Sequence, residues 1–264
     1  MLVGSVFGGV TLLLVQRLVL FQQEREELKK LNQLKDDFLS TVSHELRTPL
    51  TNMKMAIQML GIAFNQDDAF VKHDKVHRYL QILQDECGRE ISLINDLLDL
   101  QRLEAESQSS ALETIYLQTW LLQLIEPFQE RVNNIEQTLK LDIPPKLPPL
   151  VCSPSSLERI LAELLNNACK YTPPGEQIIV SAHVKSGMMQ LSVSNSGIEI
   201  PASEQAQIFE KFYRIPGADP WKQGGTGLGL ALAQKLTKHL GGSIWVESAS
   251  RQTCFTVELP IKGR

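Results

Sequence analysis

His44 and Glu45 stand side by side in the stretch VSHELRTPL, Val42 to Leu50. An H-E pair can open the zinc-protease motif H-E-x-x-H, which needs imidazoles at i and i+4 to reach one metal from one helix face. Position i+4 is Thr48, which is no zinc ligand. Two readings stand for His44: a solvated surface histidine, or a nucleophile whose exposed imidazole attacks an incoming group. The second is favoured by its polar surroundings (Glu45, Arg47, Thr48) and by Pro49, whose missing N–H predicts a kink just beyond the histidine.

A second cluster lies in ERILAELLNNACKYTPPG, Glu158 to Gly175. On a helix, Ile160, Leu161, Leu164, Leu165 and Ala168 form a buried face, while Glu163, Asn167, Lys170 and Tyr171 share a separate polar one. Carboxylate, amide, ammonium and aromatic ring together suit a phosphate–Mg²⁺ group, because Mg²⁺ takes few protein oxygens and keeps waters and phosphate oxygens. A solvated helix face is the alternative. The third feature is GGTGLGLALAQKL, Gly224 to Leu236. It is neither a P-loop nor a Rossmann fingerprint, yet a glycine-rich loop opening a helix lets an anion approach backbone N–H groups. A flexible turn is the alternative there; the helix behind it favours phosphate.

Long elements must position these groups. Apolar residues recur every three or four positions from Leu28 through Phe38, Val42, Leu46, Leu50, Met53 and Ile57 to Leu60. A second stripe runs from Val76 through Leu80, Cys87 and Ile94 to Leu98. The two predict an antiparallel helical hairpin, with His44 about 200° from its stripe neighbours Val42 and Leu46. A lone hairpin leaves much of both stripes wet, so a homodimer forming a four-helix bundle is expected. After a polar joint, Glu104 to Ser110, the pattern changes. Alternating stretches at Gln137–Ile143, Gln177–Lys185, Met189–Asn195, Ser243–Ser248 and Thr253–Leu259 read as strands. Helical patterns at Gln118–Val132, Ser155–Tyr171 and Leu228–Leu240 lie between them, predicting an α/β sandwich.

The 264 residues allow one large domain or two modest ones, and a net charge of -4 lacks the basic excess of a nucleic-acid binder. Four scattered cysteines read as small buried hydrophobes in a reducing compartment. Met1 to Phe21 is almost continuously apolar or small, about the length that crosses a bilayer. Arg25, Lys29 and Lys30 follow it, so a membrane anchor with the remainder cytoplasmic is expected. A buried helix or a fusion remnant is the alternative.

From about Glu24 onward the chain resembles the sensor histidine kinases of two-component signalling. FLSTVSHELRTPL matches their phosphoacceptor box, ELLNNACKYTPPG the N box, IFEKFYR (Ile208–Arg214) the F box and GGTGLGLAL the second glycine box. The lid wording YRIPGADPWKQGGTGLGLAL resembles a cyanobacterial subgroup. The resemblance implies an α plus α/β chain. Residues 1–22 would be the anchor and 23–104 a dimerisation and phosphotransfer hairpin. After a linker at 105–111, residues 112–264 would form an ATP-binding domain of the Bergerat type. Its implied reaction is attack by His44 on the γ-phosphate of ATP, followed by transfer to an aspartate of a response regulator.

In that scheme Glu45 takes the imidazole proton, and Thr48 positions water for the reverse, phosphatase reaction. Asn167 holds Mg²⁺, with Glu163 at the neighbouring polar position. Lys170 contacts phosphate, Tyr171 flanks the nucleotide, and Arg214 steadies the γ-phosphate. Gly225, Thr226, Gly227, Leu228 and Gly229 form the phosphate loop. The first glycine box departs from the family's D-x-G-x-G-[IL], reading NSGIEI (Asn195–Ile200). Asn195 stands where an aspartate reads the adenine amine and Glu199 where a second glycine falls, while Gly197 is retained. The lost charge assistance costs about 1 kcal/mol, several-fold in ATP affinity. Glu199 would be strained if its position required positive φ. Two rivals remain: a degenerate, non-catalytic dimeric adaptor that docks a regulator, and an ATPase machine of the gyrase or heat-shock kind. The hairpin bearing His44 argues against the second.

Overall fold

The computed structural model describes residues 21–22, 25–26, 29, 39–64, 69–104, 111–215 and 226–262. The apolar segment expected to anchor the chain lies outside these, apart from its last two residues, as does nearly all of the expected joint at 105–111. Among the described residues no helix is long and apolar enough to cross a membrane. The backbone divides into two compact units, Met1–Glu90 and Ile91–Arg264.

The first unit is helical. Helix α1 occupies 39–64 and runs through Pro49 without a break; α2 spans Ala69–Glu104 and continues beyond the unit. In α1 the buried side chains are Pro49, Ala56 and Ala63, one every seven residues. The single continuous stripe expected from sequence is therefore divided. Leu46, Met53 and Leu60 are half-buried, whereas Leu50 and Ile57 are 54% and 60% exposed. Small residues face inward because helices approach closely where side chains are short. One polar tie fixes the hairpin: Asn52 Nδ2 donates to Glu86 Oε1 at 3.1 Å, and Arg89 pairs with the same buried carboxylate at 3.0 Å.

The second unit contains the end of α2 and then β1 (Glu113–Ile115), α3 (Leu117–Asn134), β2 (Thr138–Asp142) and β3 (Leu150–Cys152). These are followed by α4 (Pro154–Tyr171), β4 (Gln177–Lys185), β5 (Met188–Ser196), a 3-10 turn at Gln207–Phe209, α5 (Gly229–His239), β6 (Ser243–Ala249) and β7 (Gln252–Pro260). Five strands form one sheet in the order β2-β4-β5-β7-β6, with only β2–β4 parallel. Helices α3, α4 and α5 pack on it, as a sandwich requires. The expected class, a helical hairpin followed by an α/β sandwich, is what the chain adopts. Sequence reading missed the small β1–β3 sheet, whose three-residue strands are too short to show alternation.

The hairpin turns explain the tight sheet. Ser186–Gly187 and Ser250–Arg251 all have positive φ, the two-residue turn whose twist matches its flanking strands. Inside, Val180 and Ala182 of β4 stand opposite Val193 and Leu191 of β5, and with Ile178 and Met189 they are buried, as are Leu157, Ile160, Leu161, Leu164 and Leu165 of α4. The α4 face read from sequence is thus the one the core uses.

Candidate functional site

In the first unit, His44 stands exposed on α1, Glu45 beside it is half-buried, and Thr48 is exposed one turn on. The Thr48 hydroxyl donates to the His44 carbonyl at 3.2 Å. Pro49 has no N–H, so the Glu45 carbonyl one turn back lacks its ordinary intrahelical donor. Among the described residues no cluster of three or more His, Cys, Asp or Glu could hold a metal.

In the second unit, α4 starts with Pro154 at its first turn and Ser153 as its cap, the Ser153 hydroxyl accepting from the Ser156 amide at 3.3 Å. This phasing puts Leu157, Leu161, Leu164 and Leu165 on the sheet and leaves Glu163, Asn167, Lys170 and Tyr171 half-buried along another face. Lys170 Nζ lies 2.9 Å from the Tyr171 hydroxyl and 4.5 Å from its ring centroid, so ammonium and aromatic ring form one wall.

Glu163 faces the start of α5. A Cβ on Gly229 would come within 2.2 Å of Glu163 Oε2, so only glycine lets the carboxylate sit there. The N-cap of α5, Leu228, provides no side-chain cap, and the first-turn N–H groups are left for an anion. Thr226 orients the entry, its hydroxyl accepting from the Leu228 amide at 3.3 Å. Gly227 has φ +69°, and a Cβ on it would meet the Phe212 backbone at 2.7 Å. Gly225 lies outside the described residues. Arg214, the last residue of the F box, is half-buried, and Phe209 packs edge-on against Phe255, ring centroids 6.3 Å apart.

At the other end of α4, Gly197 follows β5 with φ +90°, and a Cβ there would meet Pro173 Cδ at 2.7 Å. Glu199 is not among the positive-φ residues, so the strain feared from its side chain does not arise. Its carboxylate instead accepts from the Arg251 amide at 3.1 Å, while the Gly197 amide donates to the Arg251 carbonyl at 2.8 Å. Thr253 and Ser248 complete this clamp, donating to the Ile198 carbonyl at 3.2 Å and accepting from the Ile200 amide at 2.8 Å. Asn195 is buried beside it.

Sequence reading missed Arg159. Its guanidinium pairs with Glu163 at 3.1 Å and with Asp96, near the end of α2. The i, i+4 spacing to Glu163 was the available signal; nothing local announced Asp96. Burial pushes both carboxyls above their ordinary range, and Arg159 opposes the shift in each. The four cysteines divide: Cys152 and Cys169 are buried, burial raising the Cys152 thiol to about 11, Cys254 is half-buried and Cys87 is exposed.

Within the second unit, α4 thus approaches the uncapped start of α5 where Glu163 meets Gly229, and the end of β5 where Pro173 meets Gly197. Comparison with known proteins agrees. Residues 34–106 match the His Kinase A (phospho-acceptor) domain, and 152–263 the ATPase family of histidine kinases, DNA gyrase B and HSP90. The chain is 31% identical over 239 residues to the sensor histidine kinase WalK of Bacillus subtilis, covering 89% of this chain and 38% of WalK. It is 35% identical over 233 residues to the circadian input-output histidine kinase CikA of Synechococcus elongatus (87% and 30%). Against the adaptive-response sensory kinase SasA of Gloeothece citriformis it is 30% identical over 246 residues (91% and 61%). The chain thus spans less than two thirds of each of these relatives. Among solved structures, full-length ShkA in complex with AMPPNP superposes with TM-score 0.63 at 25% identity, covering 86% of this chain and 46% of ShkA. ThkA in complex with the response regulator TrrA superposes with TM-score 0.69 at 20% identity (92% and 66%), a likeness of fold.

Proposed function

The chain belongs to the sensor histidine kinases, carrying their phosphoacceptor and ATPase modules in order, and on that premise we propose that it phosphorylates itself on His44 from ATP. An imidazole nitrogen of His44 attacks the γ-phosphorus, the bond to the β-phosphate oxygen breaks, and ADP leaves. Glu45 takes the imidazole proton, which keeps the nitrogen lone pair available as the new bond forms. The phosphoryl group then passes to an aspartate of a response regulator with a receiver domain. Thr48 orients water for the reverse, phosphatase reaction on that partner.

ATP lies along α4, with Lys170 on phosphate and Tyr171 flanking the nucleotide. Its triphosphate meets the glycine loop at Gly227, Leu228 and Gly229, ahead of the uncapped start of α5, with Gly225 and Thr226 at the loop entry and Arg214 on the γ-phosphate. Gly197 and Asn195 close the opposite end. A Mg²⁺ ion fits this donor set: Asn167 supplies a hard oxygen with Glu163 on the same face, few enough for an ion that keeps waters and phosphate oxygens. When bound, it neutralises the triphosphate charge.

The working unit is a homodimer, its hairpins pairing through the exposed apolar positions of α1 and α2. Met1–Phe21 anchors the chain in a membrane with the remainder cytoplasmic, which its apolar run and the following Arg25, Lys29 and Lys30 support. We assign 1–22 to that anchor, 23–104 to phosphotransfer, 105–111 to a linker and 112–264 to ATP binding. One observation carries the reading: an exposed imidazole beside a carboxylate on α1, in a chain whose second unit builds an uncapped, glycine-lined phosphate site. The test is labelling with γ-labelled ATP. Acid-labile, base-stable label is expected on the chain and lost in His44→Gln; label retained in that variant means another acceptor.

A further inference from the structure

Asn195 ends a row that is otherwise apolar. Met189, Leu191, Val193 and Asn195 alternate onto the helix-covered face of β5, and all four are buried. Its register partners are Ile178 on β4 and Thr253 on β7. Ile178 has no polar side-chain atom. The Thr253 hydroxyl is already engaged, 3.2 Å from the Ile198 carbonyl and 2.8 Å from the Ser248 hydroxyl. Asn195 Nδ2, in a side chain only 4% exposed, has no hydrogen-bond partner. A buried donor without an acceptor is costly, and such orphans call for an explanation.

The place of the orphan supplies one. Gly197, two residues on, touches Pro173, just beyond Tyr171 at the C-terminal end of α4. Glu163 and Gly229 meet about 12 Å back along that helix, eight residues at its ordinary rise. With phosphates on the start of α5, the base of the nucleotide falls at the Asn195 end.

We propose that Asn195 sets base selectivity, and that it admits 6-oxopurine nucleoside triphosphates alongside 6-aminopurine ones. This rests on the nucleotide-site reading above and sharpens it. A carboxylate in this position only accepts: it accepts a hydrogen bond from a 6-amino group and repels a 6-oxo oxygen. An amide carries one acceptor and one donor. Facing a 6-aminopurine, Oδ1 accepts from the amino group and Nδ2 donates to ring N1. Facing a 6-oxopurine, the amide turns over, so that Nδ2 donates to the oxygen and Oδ1 accepts from N1–H. Both bases receive the same number of bonds, and each gives the buried Nδ2 its missing acceptor. The repulsion that would reject the 6-oxo base is absent, and discrimination built on such repulsion goes with it.

The experiment is calorimetric titration of the full chain with ATP and with inosine triphosphate, which carries the 6-oxo base without a 2-amino group, in Mg²⁺. The two dissociation constants are expected within about ten-fold of one another. Asn195→Asp is expected to tighten ATP and weaken inosine triphosphate, widening the ratio by at least about ten-fold. A native chain that binds ATP but excludes inosine triphosphate by more than about a hundred-fold overturns this inference alone. So does a ratio unchanged in Asn195→Asp. Binding of neither nucleotide overturns the site reading and this inference together. The native ratio decides the matter even if the variant fails to fold.

Discussion

Phe212 and Gly227 hold one another face to face: the Phe212 amide donates to the Gly227 carbonyl at 2.9 Å, and a Cβ on Gly227 would stand 2.7 Å from the Phe212 carbonyl carbon. Both residues have positive φ, 63° and 69°. The F box and the glycine loop thus meet at one point. The start of α5, with its free N–H groups, is set by this contact two residues upstream.

Gly227→Ala should therefore damage the phosphate end of the site through the backbone, while keeping the N–H of residue 227. Left-handed backbone costs an ordinary residue about 1–2 kcal/mol, and overpacking adds about 1–3 kcal/mol. The expected result is a melting temperature lowered by about 5–10 °C and ATP affinity lowered at least ten-fold. Thermal melts and calorimetry check both. An unchanged affinity would mean that this contact does not set the loop.

Chemistry and nucleotide binding should separate at Glu45. It lies in the first unit beside His44, while every residue proposed to bind the nucleotide lies in the second. Glu45→Gln keeps the shape and removes the proton acceptor, so autophosphorylation should slow by about 100-fold or more with the ATP dissociation constant unchanged. Single-turnover labelling alongside calorimetry measures the two. A parallel loss of affinity would place the effect in folding, not proton transfer.

Arg159 gives a pH signature. Asp96 and Glu163 have raised pKa values, burial being the largest cause in both despite the guanidinium. The folded chain then binds more protons than the unfolded one just above their ordinary values of 3.8 and 4.5. Stability contributed by these groups is present below that window and is lost as pH rises through the folded values. Against Asp96→Asn/Glu163→Gln, which cannot titrate there, the native chain should lose melting temperature as pH climbs from about 4 toward neutrality. Parallel profiles for the two proteins would show that the carboxyls are not desolvated. Arg159→Met, which leaves Asp96 unpaired, should cost about 3–5 kcal/mol in denaturant unfolding at neutral pH and much less in an Asp96→Asn background.

The two faces of α4 were legible because the helix states its own phase. A strong 3.6-residue pattern, a Ser153 cap and Pro154 fix which residues face the sheet, and Glu163, Asn167, Lys170 and Tyr171 follow. The strands β4, β5 and β7 were legible by alternation for the same reason. What stayed hidden was long-range. The absence of strain at Glu199 depends on the β6–β7 turn, more than fifty residues later, receiving its carboxylate. The salt bridge from Arg159 to Asp96 spans 63 residues. In α1 the failure was one of size: large apolar residues look like core, but Ala56 and Ala63 are the buried ones, and Leu50 and Ile57 point to water.

Those exposed residues carry the last prediction. Leu50, Ile57 and Phe64 recur every seven residues on α1, as do Leu80, Cys87 and Ile94 on α2, and all six are exposed in the single chain. A seven-residue apolar repeat is the seam along which helices pair, each side chain entering a hole in its neighbour. Burying one Leu or Ile stabilises by about 1.5–3 kcal/mol, so a seam of this length holds a dimer firmly. Ile57→Glu places a charge at its middle in both copies at once. The dimer should weaken by at least about 100-fold, seen as monomer by light scattering at micromolar concentration. ATP affinity should stay as it is, because every residue proposed to bind the nucleotide lies in the second unit. A variant that remains dimeric would move the interface off this seam and onto another face of the hairpin.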